Sequence, residues 1–145
     1  MEKGICDKLG INLSDDLILF SRTAPSREMI LKFKAHFEAL EHPILIHCKS
    51  GADRMGLASV LYLHLIDQVP IEKALDQLSL RYGHIKQAKT GILDEFFKSY
   101  LTYKKDNNIT FIEWVESVYD ERELKNTYNS QSWADALVDL ILRRE

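Results

Sequence analysis

Hydrophobic positions along the chain form two patterns. Short apolar runs occur within residues 11–20 and again at residues 44–46, and such runs are typical of buried strands. After Pro25, apolar residues recur every three or four positions, as in an amphipathic helix: Ile30, Phe33, Phe37 and Leu40. The pattern therefore predicts a strand, a helix, a second strand and a following helical stripe from Leu57 to Leu65.

Helical spacing dominates the second half of the chain. Pro70 suits the start of a helix that Gly83 would end, and Thr110 with Glu113 has the spacing of a capping box. Further helices are predicted over residues 92–101 and 133–143. We therefore expect an α/β fold: a short, central, mostly parallel sheet flanked by helices, with a helical C-terminal extension.

Length and composition indicate one ordinary globular domain. The 145 residues suit a single domain over 1–145, with a catalytic core of about 1–105 and an extension over 106–145. The net charge of −3 argues against bulk electrostatic binding of nucleic acid. No apolar run approaches the roughly 20 residues that span a membrane, and the charged N-terminus does not resemble a signal peptide. A cytoplasmic location without membrane attachment is expected.

The two cysteines, Cys6 and Cys48, require separate explanations. A cytoplasmic setting disfavours a disulfide between them, and neither has neighbours at zinc-site spacing. We therefore predict no metal and no cofactor. Cys6 is interpreted as a small core residue of a first helix, whereas Cys48 lies between a predicted strand and a predicted helix.

The segment from Cys48 to Arg54 has the composition of a phosphate-binding loop. Inward-pointing backbone N–H groups at a helix N-terminus bind anions, Gly51 allows the chain to curl, and the Arg54 guanidinium can grip two phosphate oxygens. The predicted cradle consists of Lys49, Ser50, Gly51, Ala52, Asp53 and Arg54. The same groups would lower the pKa of the Cys48 thiol. A thiolate there would attack phosphorus and form a thiophosphate intermediate that water hydrolyses.

The sequence HCKSGADR resembles the Cys-x5-Arg signature of the protein tyrosine phosphatase superfamily. The layout over roughly residues 5 to 105 is most similar to bacterial dual-specificity-like phosphatases. The resemblance implies that Cys48 is the nucleophile, that Arg54 binds phosphate and that His47 supports the loop and the thiolate. The expected substrate is a phosphorylated protein or a small phosphomonoester.

The sequence departs from this family at two functional positions. Met55 stands where the family has a Ser or Thr that assists release of the thiolate. Residues 20–26, which match the usual general-acid loop, contain no acid. Because myotubularins carry an Asp directly before the signature Arg, Asp53 is the leading candidate for the acid. Its alternative role is to brace Arg54 or Lys49, and Asp15 and Asp16 are further candidates for the acid.

The predicted sheet would have an open edge. Relatives carry two more strands before the segment that matches GICDKLGIN, and a bare edge promotes association. Either residues upstream of Met1 or a partner, such as the second copy in a homodimer, would cover it.

Two other functions compete with catalysis by a phosphatase. Met55 and the missing loop acid favour a pseudophosphatase that binds phosphate without turnover, and a rhodanese-like sulfurtransferase also holds a Cys in an anion-binding loop. Cationic residues in the segments around Arg22 and over residues 81–89 are interpreted either as a rim for anionic substrates or as a solvated face.

Overall fold

The computed structural model describes residues 2–129, and this part of the chain is mainly helical. The helix predicted over 133–143 lies outside the described residues. The helices are α1 (Glu2–Leu9), α2 (Arg27–Ala39), α3 (Asp53–Leu65), α4 (Ile71–Ala74), α5 (Ile92–Asp106), α6 (Phe111–Ser117) and α7 (121–129). Short 3-10 turns connect some of them: Leu75–Gln77, Leu80–Tyr82 and Lys89–Gly91.

The predicted α/β fold with a central parallel sheet is wrong for this structure, because residues 2–129 contain no strand. Residues 17–20 and 44–46 keep the alternation of a strand, with every second side chain packed on the helical core and the others exposed. Leu45, for example, is 88% exposed. Alternation shows only that one face of a segment is buried, whereas a sheet also needs neighbouring strands for its ladder of hydrogen bonds.

The core lies between α2, α3, α5 and α6. Their inward faces contribute most of the buried apolar side chains, which include Ile30, Phe33, Leu57, Leu61, Leu93, Phe96, Phe97, Tyr100, Phe111 and Trp114. The aromatic rings of α5 and α6 pack against one another, and some pairs are edge to face, as are Phe96 and Phe111 at 5.8 Å between centroids. Tyr119 extends this cluster, and its hydroxyl donates a hydrogen bond to the Pro25 carbonyl just before α2.

The predicted helix starts agree with the structure better than the predicted helix ends do. The capping box of Thr110 and Glu113 is confirmed, and α5 covers the predicted segment over 92–101. The helix predicted from Pro70 to Gly83 is only partly formed, because α4 ends at Ala74. Beyond it the chain turns so that Leu78 packs on α3, where a Cβ at Gly56 would lie 2.7 Å from Leu78 Cδ2.

A tight loop over residues 83–91 connects these turns to α5. Gly83 has a φ of 79°, which favours glycine. A Cβ at Gly91 would overlap the carbonyl oxygen of Lys86 and lie 3.0 Å from its carbonyl carbon. From α7, the Tyr128 hydroxyl donates a hydrogen bond to the Ala88 carbonyl at 3.1 Å. The loop is therefore held from both sides.

The N-terminal helix α1 lies on the surface and buries none of its residues. Cys6 is partly exposed, so its interpretation as a core residue is wrong. Because α1 has no buried residue, the Cys6 thiol is not part of the core. Within the described part of the chain, no helix has the length and apolar character needed to cross a membrane.

Candidate active site

The Cys48 sulfur lies at the N-terminus of α3. The helix begins at Asp53, and its N-cap residue, Ala52, has no side chain that could accept a hydrogen bond. Gly51 adopts a φ of 71°, and its backbone N–H donates to Cys48 Sγ at 3.2 Å. The sulfur therefore accepts hydrogen bonds at a helix start where N–H groups lack partners within the helix.

The loop lowers the pKa of the Cys48 thiol below its ordinary value of 9.0. Burial is the largest single influence and raises the pKa. Hydrogen bonds from the backbone N–H groups of Ser50, Gly51 and Met55 lower it, and together with the nearby charge of Arg54 they outweigh burial. The lowered pKa predicted from the sequence is thus confirmed, and the loop favours the thiolate.

The other residues of the predicted cradle differ in their exposure to solvent. Lys49, Ser50 and Gly51 are exposed, whereas Ala52, Asp53 and Arg54 are half-buried at the helix start. Arg54 is close enough for its charge to act on the thiol. The loop is therefore open to solvent on the side of residues 49–51 and closed by α3 on the other.

His47 contacts α1, and the segment with Asp15 and Asp16 contacts α2. The His47 ring lies 2.7 Å from a Glu2 carboxylate oxygen of α1. The segment with Asp15 and Asp16 runs along α2, where Lys32 Nζ donates to the Asp16 carbonyl at 2.7 Å. Asp53, by contrast, begins α3 directly after the Cys48 loop.

Asp53 contacts a histidine to which the sequence assigned no role in catalysis. His84 is fully buried; its Nδ1 lies 2.8 Å from Asp53 Oδ1 and its Nε2 lies 2.5 Å from Asp94 Oδ2. Lys86 Nζ lies 3.5 Å from the other Asp94 oxygen. We call Asp53, His84, Asp94 and Lys86 the loop-side cluster.

The sequence placed His84 among the cations of residues 81–89, as a rim or solvated face. Neither interpretation holds for His84, because its ring is buried, whereas Arg81, Lys86 and Lys89 are exposed. The left-handed Gly83 directs the chain inward at this point. A histidine after such a glycine is a weak sequence signal, and nothing in the spacing identified Asp94.

Met55, the residue after Arg54, has its side chain and its backbone N–H in different environments. The Met55 side chain packs against the hydrophobic core, while its backbone N–H points to the Cys48 sulfur. In residues 2–129, no group of three or more His, Cys, Asp or Glu side chains is arranged to hold a metal ion. The groups that act on the Cys48 sulfur are backbone N–H donors and the Arg54 guanidinium.

Comparison with known proteins agrees with this arrangement. A family model described as the tyrosine phosphatase family matches residues 19–124, which include the Cys48 loop and the loop-side cluster. No curated protein and no solved structure matches the chain significantly. Because the match covers most of the sequence, the chain belongs to the tyrosine phosphatase family and is a phosphatase.

Proposed function

We propose that the protein hydrolyses phosphomonoesters, phosphotyrosine among them, through a thiophosphate intermediate on Cys48. The observation that carries the proposal is the hydrogen bond from the Gly51 N–H to Cys48 Sγ, in a loop that lowers the pKa of this thiol. Thiolates are the nucleophilic form of cysteine. The same N–H groups and Arg54 are suited to phosphate oxygens.

The reaction proceeds in two steps. In the first, the Cys48 thiolate attacks phosphorus, the bond between phosphorus and the ester oxygen breaks, and the leaving oxygen takes a proton from the Asp53 carboxyl group. In the second, water attacks phosphorus, its proton passes to the Asp53 carboxylate, and the sulfur–phosphorus bond breaks. Inorganic phosphate and the Cys48 thiolate are released. Arg54 offsets the negative charge on the phosphate oxygens in both steps.

Backbone groups offset the missing hydroxyl at position 55. In the second step the thiolate is the leaving group, and any donor that stabilises its charge accelerates its release. Three backbone N–H groups serve this purpose here, including that of Met55 itself. The substitution of a hydroxyl residue by Met55 is therefore compatible with turnover.

Exposure of the loop supports a wide choice of substrates. Lys49, Ser50 and Gly51 all lie at the surface, and a shallow site admits alkyl as well as aryl phosphates. Aryl phosphates have the better leaving group and depend less on the acid. We therefore expect both classes to be hydrolysed, with aryl esters faster.

A phosphate-binding pseudophosphatase is the second candidate. The observation that favours it is the packing of the Met55 side chain against the core, which leaves no side-chain hydroxyl beside the sulfur at this position. This function predicts that inorganic phosphate or vanadate binds to the loop while ester hydrolysis is absent.

Hydrolysis of an aryl phosphate between pH 5 and 8, without added metal, tests the proposal. Cys48→Ser should abolish turnover, whereas Cys6→Ser, which alters the other thiol of the chain, should not change it. Asp53→Asn should slow an alkyl phosphate more than an aryl phosphate, because acid catalysis contributes about 10²–10⁴-fold and matters most for poor leaving groups. Well-folded wild-type protein that binds vanadate without turnover would instead favour the pseudophosphatase.

A further inference from the structure

The imidazole of His84 is bound between two carboxylates in the protein interior. Its ring is fully buried, yet both nitrogens have a carboxylate oxygen within hydrogen-bond distance, Asp53 on one side and Asp94 on the other. Three separate parts of the chain meet here, since Asp53 begins α3, His84 follows Gly83 and Asp94 lies in the first turn of α5. A buried ring with both nitrogens engaged has a fixed orientation.

The two contacts of His84 involve one proton more than a neutral imidazole and two carboxylates provide. A neutral ring has a single N–H, so the second contact needs a proton on the ring or on a facing carboxyl group. Lys86 Nζ lies beside the other oxygen of Asp94. Each side of the ring therefore has a partner, and Asp53 is held through one oxygen.

The contact with His84 also keeps Asp53 separate from Arg54. These two residues are neighbours in sequence, and a free carboxylate there would compete with phosphate for the guanidinium. Within residues 2–129, the ion pair of Asp53 is with His84 and none joins it to Arg54. The Asp53 side chain remains 26% exposed, so it stays accessible from solvent while one oxygen is held.

We propose that His84, oriented by Asp94, is a positioning residue that holds Asp53 for proton transfer. This proposal rests on the proposed function, in which Asp53 exchanges protons with the leaving group and with water. Among residues 2–129, Asp53 of α3 and Asp94 of α5 contact the imidazole, and Lys86 of the loop contacts Asp94. Arg54 is the next cation along α3.

A double-mutant cycle with His84→Gln and Asp53→Asn separates positioning from a structural role. In the wild-type background, His84→Gln should lower kcat for an alkyl phosphate about ten- to a hundredfold with little change in KM, because it misplaces a group that contributes about 10²–10⁴-fold. In the Asp53→Asn background, the same change should cost almost nothing, since the group it positions is already lost. Equal losses in both backgrounds would overturn the proposal.

The pH–rate profile gives a readout that a purely structural role would not move. The limb of the profile that depends on Asp53 should flatten in His84→Gln, as it does in Asp53→Asn, because a misplaced acid contributes little to the rate. His64→Gln is the matched control. This histidine also bonds through Nδ1, to the Val69 carbonyl at 2.9 Å, but it lies at the other end of α3 and should leave rate and profile unchanged.

A spectroscopic measurement tests the proposal independently of turnover. In ¹H and ¹⁵N NMR of the full chain, a ring N–H of His84 should be protected from exchange with solvent, and Asp94→Asn should weaken that protection. A His84 ring whose N–H exchanges freely with solvent in the wild type would overturn the proposal, even if no variant folds. Failure of the proposed function would appear differently, as absent hydrolysis by a wild type whose His84 ring N–H is protected.

Discussion

Replacing Gly91 by alanine tests how tightly the loop over residues 83–91 is packed. Gly91 has φ and ψ of −60° and −12°, a helical conformation that alanine adopts without strain. On backbone grounds alone, Gly91→Ala should stabilise the protein by about 0.4–1 kcal/mol, because alanine restricts the unfolded chain. Backbone conformation alone therefore predicts a gain in stability.

Packing predicts the opposite sign. The new Cβ would overlap the Lys86 carbonyl oxygen and lie 3.0 Å from both the Lys86 carbonyl carbon and Tyr128 Oη. Because a backbone carbonyl cannot rotate away, the loop or the start of α5 must move, and overpacking of this kind costs about 1–3 kcal/mol. Subtracting the gain from a cost near the middle of this range, about 2 kcal/mol, leaves a net loss of about 1–2 kcal/mol.

Chemical and thermal unfolding of Gly91→Ala and Gly4→Ala would measure this difference. A loss of about 1–2 kcal/mol lowers Tm by roughly 2–8 °C in a domain of this size. Gly4 is the matched control, since a Cβ there meets nothing within 4 Å, and Gly4→Ala should leave the unfolding midpoint unchanged or raised. A midpoint for Gly91→Ala at or above that of the wild type would refute the reasoning and the close approach of Lys86.

Two further predictions concern the Cys48 loop and the capping box. Alkylation of Cys48 by iodoacetamide should reach half its maximal rate below pH 9.0, because the pKa of this thiol is lowered from 9.0 and the thiolate is the reactive form. Cys48→Ser serves as the blank, and a midpoint at or above pH 9.0 would contradict the lowered pKa. Thr110→Ala should destabilise the fold by about 0.5–2 kcal/mol in urea unfolding, whereas Thr110→Ser keeps the hydroxyl that accepts from the Glu113 N–H and should lose less. Equal losses would show that the hydroxyl is not the cap.

The loop around Cys48 could be predicted because its chemistry depends on adjacent residues. Gly51 reaches the sulfur from three positions away, and the donors that lower the pKa all lie within seven residues of Cys48. Such contacts follow from local backbone geometry and from the start of α3, both of which the sequence encodes directly.

The sheet could not be predicted correctly, because strand pairing depends on distant segments. Residues 17–20 and 44–46 have the expected alternation, but alternation only identifies the side that faces the core. The helical core of α2, α3, α5 and α6 covers that side, and neither segment has a paired neighbour within residues 2–129. The two-residue period therefore identified the buried side of each segment but not the fold.

The loop-side cluster escaped prediction for a related reason. His84 lies 31 positions from Asp53 and 10 from Asp94, so their meeting depends on how α3 and α5 pack. Histidine and aspartate are also common on solvated surfaces. Only the packed structure distinguishes this buried imidazole from the exposed cations beside it in sequence.

The hydrogen bond from Tyr128 to Ala88 has a consequence for choosing where to shorten the chain. The family match ends at residue 124, and an expression fragment ending there would retain Cys48, Arg54 and the whole loop-side cluster. It would nevertheless lack the hydroxyl that holds the Ala88 carbonyl from α7. A fragment intended for activity measurements should therefore extend through residue 129, because the alignment boundary precedes a residue that contacts the loop over residues 83–91.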